Sequence, residues 1–166
     1  MHQNEYEWVR QTRGVLLDFC SELEPNDFTR QMDGFGWHSM RDTLVHIADC
    51  YNAWLGSFVL LKTKKPLTSK EDLLQLGLDE IKIRFEHVDS LVNEVFEVFE
   101  VFAHHMGEPI QREIPWRKES EMLSITPSKL LMHAITHEFH HKGQIVAIVR
   151  QMGYEPPNTD VLGTRE

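Results

Sequence analysis

Apolar residues at alternating steps of four and three run through the middle of this chain: Leu74, Leu78, Ile81, Phe85, Val88, Val92, Val95, Phe99 and Phe102. Only an α-helix brings such positions into one line, and the four-three alternation suits left-handed packing against other helices. A seam of this kind also serves an extended coiled coil. Its neighbours, however, read as separate helices of domain length, which favours a bundle.

The rest of the chain punctuates in the same way. Tyr6 to about Leu23 reads as a first helix, apolar at Val9, Leu16, Leu17, Phe19 and Leu23, and ended by Pro25-Asn26-Asp27. Asp33-Gly34-Phe35-Gly36 has the glycines of a turn. Ser39 reads as an N-cap with Asp42 in the first turn, opening a second helix that runs to about Leu61. Pro66 and Thr68-Ser69 separate it from the third helix, with Glu71 and Asp72 near that helix's positive end. Met106 to Ile125 is irregular, and the alternation Ile110, Arg112, Ile114 suggests a strand fragment. Thr126-Pro127 opens a fourth helix, Thr as cap and Pro at the first helical position, ending near Gly153 before Pro156-Pro157. Four helices without a convincing sheet predict an all-α four-helix bundle, one domain over residues 1–166.

Charge and cysteines narrow the function. A net charge of −9 over 166 residues argues against nucleic acid, whose phosphates need a Lys/Arg excess. The one dense basic run, Lys62-Thr63-Lys64-Lys65, reads as a solvated turn. Two isolated cysteines, Cys20 and Cys50, fit a reducing cytoplasm, and Glu5, Glu7, Arg10 and Arg13 leave no secretory signal in view. The longest uncharged stretch, Cys50 to Leu61, is too short for the ~20 residues that span a bilayer. A soluble cytoplasmic protein without membrane or nucleic-acid partners is expected.

The chemistry lies in His137-Glu138-Phe139-His140-His141. Imidazoles four apart on a helix point the same way, the spacing at which two can share one divalent ion. His137 and His141 fall within the apolar stripe Leu130, Ala134, Ile145, Ile148 and Met152, where an unpartnered polar group costs about 1–3 kcal/mol. Metal ligation accounts for both; two hydrogen-bonded core histidines are the plainer alternative. His133 reads as a partner behind the ligands and His140 as a rim residue. His104-His105 suits the negative end of the third helix, and His2, His38 and His87 read as structural or surface groups. On the second helix, His46 lies at the margin of the stripe Met40, Leu44, Ile47, Ala48, Tyr51, Leu55 and Phe58, facing a cleft. Cys50, one turn on, reads as an inert buried thiol.

The same five letters spell H-E-x-x-H, the zinc-protease motif with Glu138 as base. The extended form needs Gly three and His six residues beyond His141, where this chain has Gln144 and Ala147. Other zinc proteases take a Glu from a later helix, but only Glu155 and Glu166 remain as later glutamates, with no helix to carry them. The protease reading is therefore set aside, and Glu138 is not assigned as a base, an exposed helix-surface residue being an equal reading of it.

Leu44-Val45-His46-Ile47-Ala48, His137-Glu138-Phe139-His140-His141-Lys142-Gly143-Gln144 and Pro156-Pro157-Asn158-Thr159-Asp160 together resemble the DinB-like (DinB/YfiT-like) bundle family of bacteria, over nearly the whole chain. The resemblance implies a four-helix bundle holding a divalent metal, Zn²⁺ or Ni²⁺, on three histidines that map to His46, His137 and His141. Lys142 stands where Arg is frequent. Related members include bacillithiol transferases and a mycothiol-dependent isomerase. The implied activity is a metal-activated water or low-molecular-weight thiol, in an S-transferase or hydrolase. The alternative is a non-enzymatic stress-response or binding protein with a structural metal. Homodimers are frequent in the family, which would give Ile135, Phe139 and Val146 an interface role.

Overall fold

The computed structural model describes residues 3–100, 105–119 and 121–166. Phe102 and the histidines expected at positions 2 and 104 lie outside the described residues, as does the side chain of His105. Helix α1 (Gln3–Glu22) buries Tyr6, Val9, Thr12, Arg13, Leu16, Leu17 and Cys20. Pro25 ends it and also opens a single further turn, α2 (Pro25–Thr29), at whose start a missing N–H costs nothing.

Helix α3 (Met40–Tyr51) begins where the sequence places it: the Ser39 side chain accepts the Asp42 N–H at 3.1 Å. Its apolar stripe is buried throughout, from Met40 to Phe58. The second half of this rod is not α-helical. Asn52–Val59 is a π-helix, whose extra residue per turn rotates the side chains after Tyr51 relative to α-helical spacing. Gly56 permits close packing there, since a Cβ would lie 2.7 Å from Asn52 Oδ1 and 3.1 Å from Leu91 Cδ1.

The third predicted helix is divided. Ser69 caps a short α4 (Lys70–Gln75), and Leu76-Gly77 interrupts before α5 (Leu78–Glu100), whose Glu80 carboxylate accepts the Gly77 N–H at 3.0 Å. The packed seam therefore starts at Leu78, and Leu74 is exposed. The cap and the glycine outweigh periodicity across that junction. Ile110–Glu113 forms β1, as the alternation suggested, but it pairs antiparallel with an unforeseen β2 (Met122–Ile125), Ile110 opposite Ile125. The expected sheet-free chain is thus corrected to a mostly helical one with a small hairpin. Helix α6 (Pro127–Gln151) starts with Thr126 accepting the Lys129 N–H and stops before Gly153, at φ +91°.

Helix α3 packs on α6, α1 on α5, and the π-helical segment against both α5 and α6. Leu16, Leu44, Leu55, Phe58, Ile81, Val92, Leu130, Ala134 and Ile148 meet in the common core. Each large apolar side chain buried there contributes roughly 1.5–3 kcal/mol. Among the described residues, no helix is long and apolar enough to cross a membrane.

Candidate metal centre

The α3–α6 contact brings three imidazoles together. His46 Nε2 stands 3.0 Å from His137 Nε2, and His141 Nε2 stands 3.2 Å from the same atom. Nitrogens bonded to one ion at ~2.0–2.1 Å, with angles between 90° and tetrahedral, stand roughly 2.9–3.4 Å apart. These two separations fall in that range, and the three candidate ligand atoms all lie within 4.8 Å of one another. His141 is buried and His46 and His137 are half-buried, so the cluster lies at the edge of the core with one side open.

Burial also sets the protonation. It pulls His46 down to about 4 and His137 to about 3, helped by the neighbouring rings, and it lowers His141 as well. Near neutral pH all three rings are therefore uncharged, as ligation requires. Gln144 Oε1 lies 2.6 Å from His141 Nδ1. An amide oxygen only accepts, so the ring proton sits on Nδ1 and the Nε2 lone pair faces the cluster. His137 Nδ1 is buried with no hydrogen-bond partner, so its Nε2 contact is the polar interaction left to that ring. The donor set fits a divalent cation, and among the described residues His46, His137 and His141 form one group able to hold such an ion.

The surrounding residues divide in ways the sequence showed only in part. His133 is exposed, its ring 5.6 Å from that of His137 and edge-on to Trp54 at 6.0 Å. It borders the site. His140 is an exposed rim residue, 3.2 Å from Gln144 Nε2. Cys50 is buried, and burial pushes its thiol up to about 12, so it stays protonated outside the convergent group. Trp37, unremarked in the sequence, stacks on His46 with ring centroids 4.1 Å apart and planes 21° apart.

Glu138 is the clearest correction. Instead of lying on the helix surface it is fully buried. It accepts from Arg13 Nε at 3.0 Å and Nη2 at 2.9 Å, and from the Tyr51 hydroxyl at 2.7 Å, with Lys142 Nζ 3.5 Å away. Burial alone would raise its pKa; the Arg13 and Lys142 charges and these hydrogen bonds hold it below the usual range instead. Arg13 also donates to Asp89 at 2.7 Å. Lys142, itself buried and lowered to about 8, donates to the Thr12 hydroxyl and stands over the Phe139 ring. A carboxylate so committed is no base for the cluster. It ties α1, α3 and α6 together behind the histidines. Ile135 is buried in the core, which removes it from the expected interface set, whereas Phe139 and Val146 are half-buried.

Fold and site together define a mostly helical protein carrying three convergent, uncharged imidazoles on two packed helices. The chain belongs to the DinB family, whose profile matches residues 1–166. It is 32% identical over 156 residues to Protein DinB of Bacillus subtilis (strain 168), covering 93% of this chain and 88% of that protein. It is 26% identical over 163 residues to the uncharacterized protein YizA of the same organism, covering 96% of this chain and 91% of the relative.

Proposed function

We propose that this protein is a cytoplasmic metal-dependent enzyme, one four-helix-bundle domain in which His46, His137 and His141 hold Zn²⁺ or a similar ion such as Ni²⁺. The observation carrying the proposal is the approach of His46 Nε2 and His141 Nε2 to within 3.0 and 3.2 Å of His137 Nε2. An ion bound there supplies Lewis acidity, bringing the pKa of a water or a low-molecular-weight thiol towards neutrality. The protein's own part is to keep the imidazoles neutral by burial, to orient His141 through Gln144, and to hold α3 against α6 through Tyr51 and Glu138. Three protein donors with an exposed side favour a reaction centre over a purely structural one, which ordinarily closes with four. Thiol transfer of the bacillithiol type and hydrolysis are the two reaction classes in keeping with this set, and a homodimer is the proposed assembly.

The test is activity of Zn²⁺- and Ni²⁺-loaded protein with bacillithiol and monobromobimane, and separately with a nitrophenyl ester, before and after chelation. Turnover lost on chelation while helicity is kept is the expected result. Loss of helicity without turnover in either assay would favour the non-enzymatic reading, a binding protein with a structural metal.

A further inference from the structure

We infer that the cavity of about 250 Å³ beside His46 is a pocket for the apolar part of a small uncharged organic molecule. This rests on the metal-centre reading and deepens it by naming the substrate class. His46 belongs both to the cluster and to the cavity wall, so a molecule seated there lies against a proposed ligand. Trp37, Val45, Leu67 and Leu73 supply the apolar surface. Trp37 and Leu67 remain 40% and 56% exposed, which leaves an apolar rim open to solvent.

The Trp37 wall is built in advance. His38, the next residue, has φ +57°, a left-handed conformation that L side chains rarely adopt. Its carbonyl accepts the Met32 N–H at 2.6 Å, and the Trp37 carbonyl accepts the Ser39 N–H at 2.6 Å. Ser39 then caps α3. The turn that lays Trp37 on His46 is thus fixed from both sides, and backbone strain of this kind concentrates at binding sites.

The polar groups around the cavity argue against a charged ligand. Its carboxylates are engaged: Asp42 with Arg41 at 3.0 Å and Gln31 at 3.3 Å, Asp49 with the Thr68 N–H and hydroxyl at 2.7 and 2.8 Å and with Arg84 at 3.7 Å. A cation gains little from carboxylates already paired. An anion meets them with no lysine or arginine among the lining residues. The volume falls below the roughly 300–1,000 Å³ of drug-sized sites, so one ring or a short branched chain fills it. An anionic cosubstrate would have to approach by another side.

Benzyl alcohol, benzylamine and benzoate present one ring with a neutral, a positive and a negative head. Each is titrated into metal-free protein, so that the charge of a bound ion does not attract the anion, reading the amide signals of Leu67 and Leu73 and the indole N–H of Trp37 by NMR. Benzyl alcohol is expected to shift all three signals, with benzylamine weaker and benzoate at least tenfold weaker. Leu73→Trp, which fills the cavity, should weaken benzyl alcohol at least tenfold while leaving Zn²⁺ affinity within twofold. Leu67→Trp on the exposed rim serves the same purpose if that variant does not fold. No shift at these residues, a charged probe binding as tightly as the alcohol, or unchanged binding in the filled variant would overturn the inference. Failure of wild-type protein to take up Zn²⁺, with benzyl alcohol still shifting the cavity signals, counts against the metal reading alone.

Discussion

Replacing Glu138 by glutamine separates two accounts of the same five letters. In the protease account Glu138 is an accessible base, and Glu138→Gln would remove activity and leave stability within about 0.5 kcal/mol, as for surface changes generally. In the structure the carboxylate is fully buried between Arg13 and Tyr51, with Lys142 nearby. Glutamine keeps the shape and removes the charge, leaving Arg13 with Asp89 as its remaining carboxylate partner and Lys142 with the Thr12 hydroxyl. Removing one member of a buried pair costs about 3–5 kcal/mol. With ~2–4 °C per kcal/mol for a domain of this size, the melting temperature should fall by roughly 6–20 °C. Thermal unfolding by circular dichroism on metal-free protein measures it. Arg13→Met combined with Glu138→Gln should cost less than the sum of the single changes, because each removes the other's unpaired charge. A Glu138→Gln melting temperature within a degree or two of wild type would refute the buried-tie reasoning.

Three further outcomes follow from the same geometry. Gln144→Leu removes the acceptor from His141 Nδ1 at 2.6 Å, and Zn²⁺ affinity measured by competition with a chromogenic chelator should fall about 10–100-fold with the fold intact. In the metal-free protein His46 and His137 sit at about 4 and about 3, below the ordinary 6.5, so the unfolded chain takes up protons first as pH falls. Stability present above about 6.5 should therefore decline steadily from there towards 4 in urea titrations at stepped pH, and a flat profile over that window contradicts the assignment. Zn²⁺ held at a hundredfold excess over its Kd should stabilise the protein by about 2.7 kcal/mol, and chelation should reverse the gain.

What could be read from the sequence was what depends on neighbours in the chain. The Ser39 cap marked the start of the rod carrying His46, Thr126, Pro127 and Gly153 marked both ends of the other histidine-bearing rod, and His137 with His141 shared a face by helical spacing alone. His46 joined them through family resemblance, with the cleft-facing margin of its stripe in agreement. The break at Leu76-Gly77 was hidden because the apolar seam continued in register across it. The π-helical turn of Asn52–Val59, which packs against α5 and α6, left no signal in the apolar periodicity. Glu138 was misread because its partner Arg13 lies 125 residues away. A usable signal existed: Arg13 interrupts the buried stripe Val9, Leu16, Leu17 on α1, and Glu138 and Lys142 interrupt another on α6. Charges placed on apolar faces of two helices ask for each other. Trp37 depends on the His38 backbone turn, which composition does not announce.

X-ray absorption at the metal edge, with elemental analysis on protein purified without chelators, addresses the central claim most directly. The account predicts one divalent ion per chain, with three imidazole nitrogens at ~2.0–2.1 Å for zinc, and loss of that signature in His137→Ala. A wild-type protein that binds no ion when offered Zn²⁺ or Ni²⁺, or an ion whose shell lacks imidazole, would contradict it.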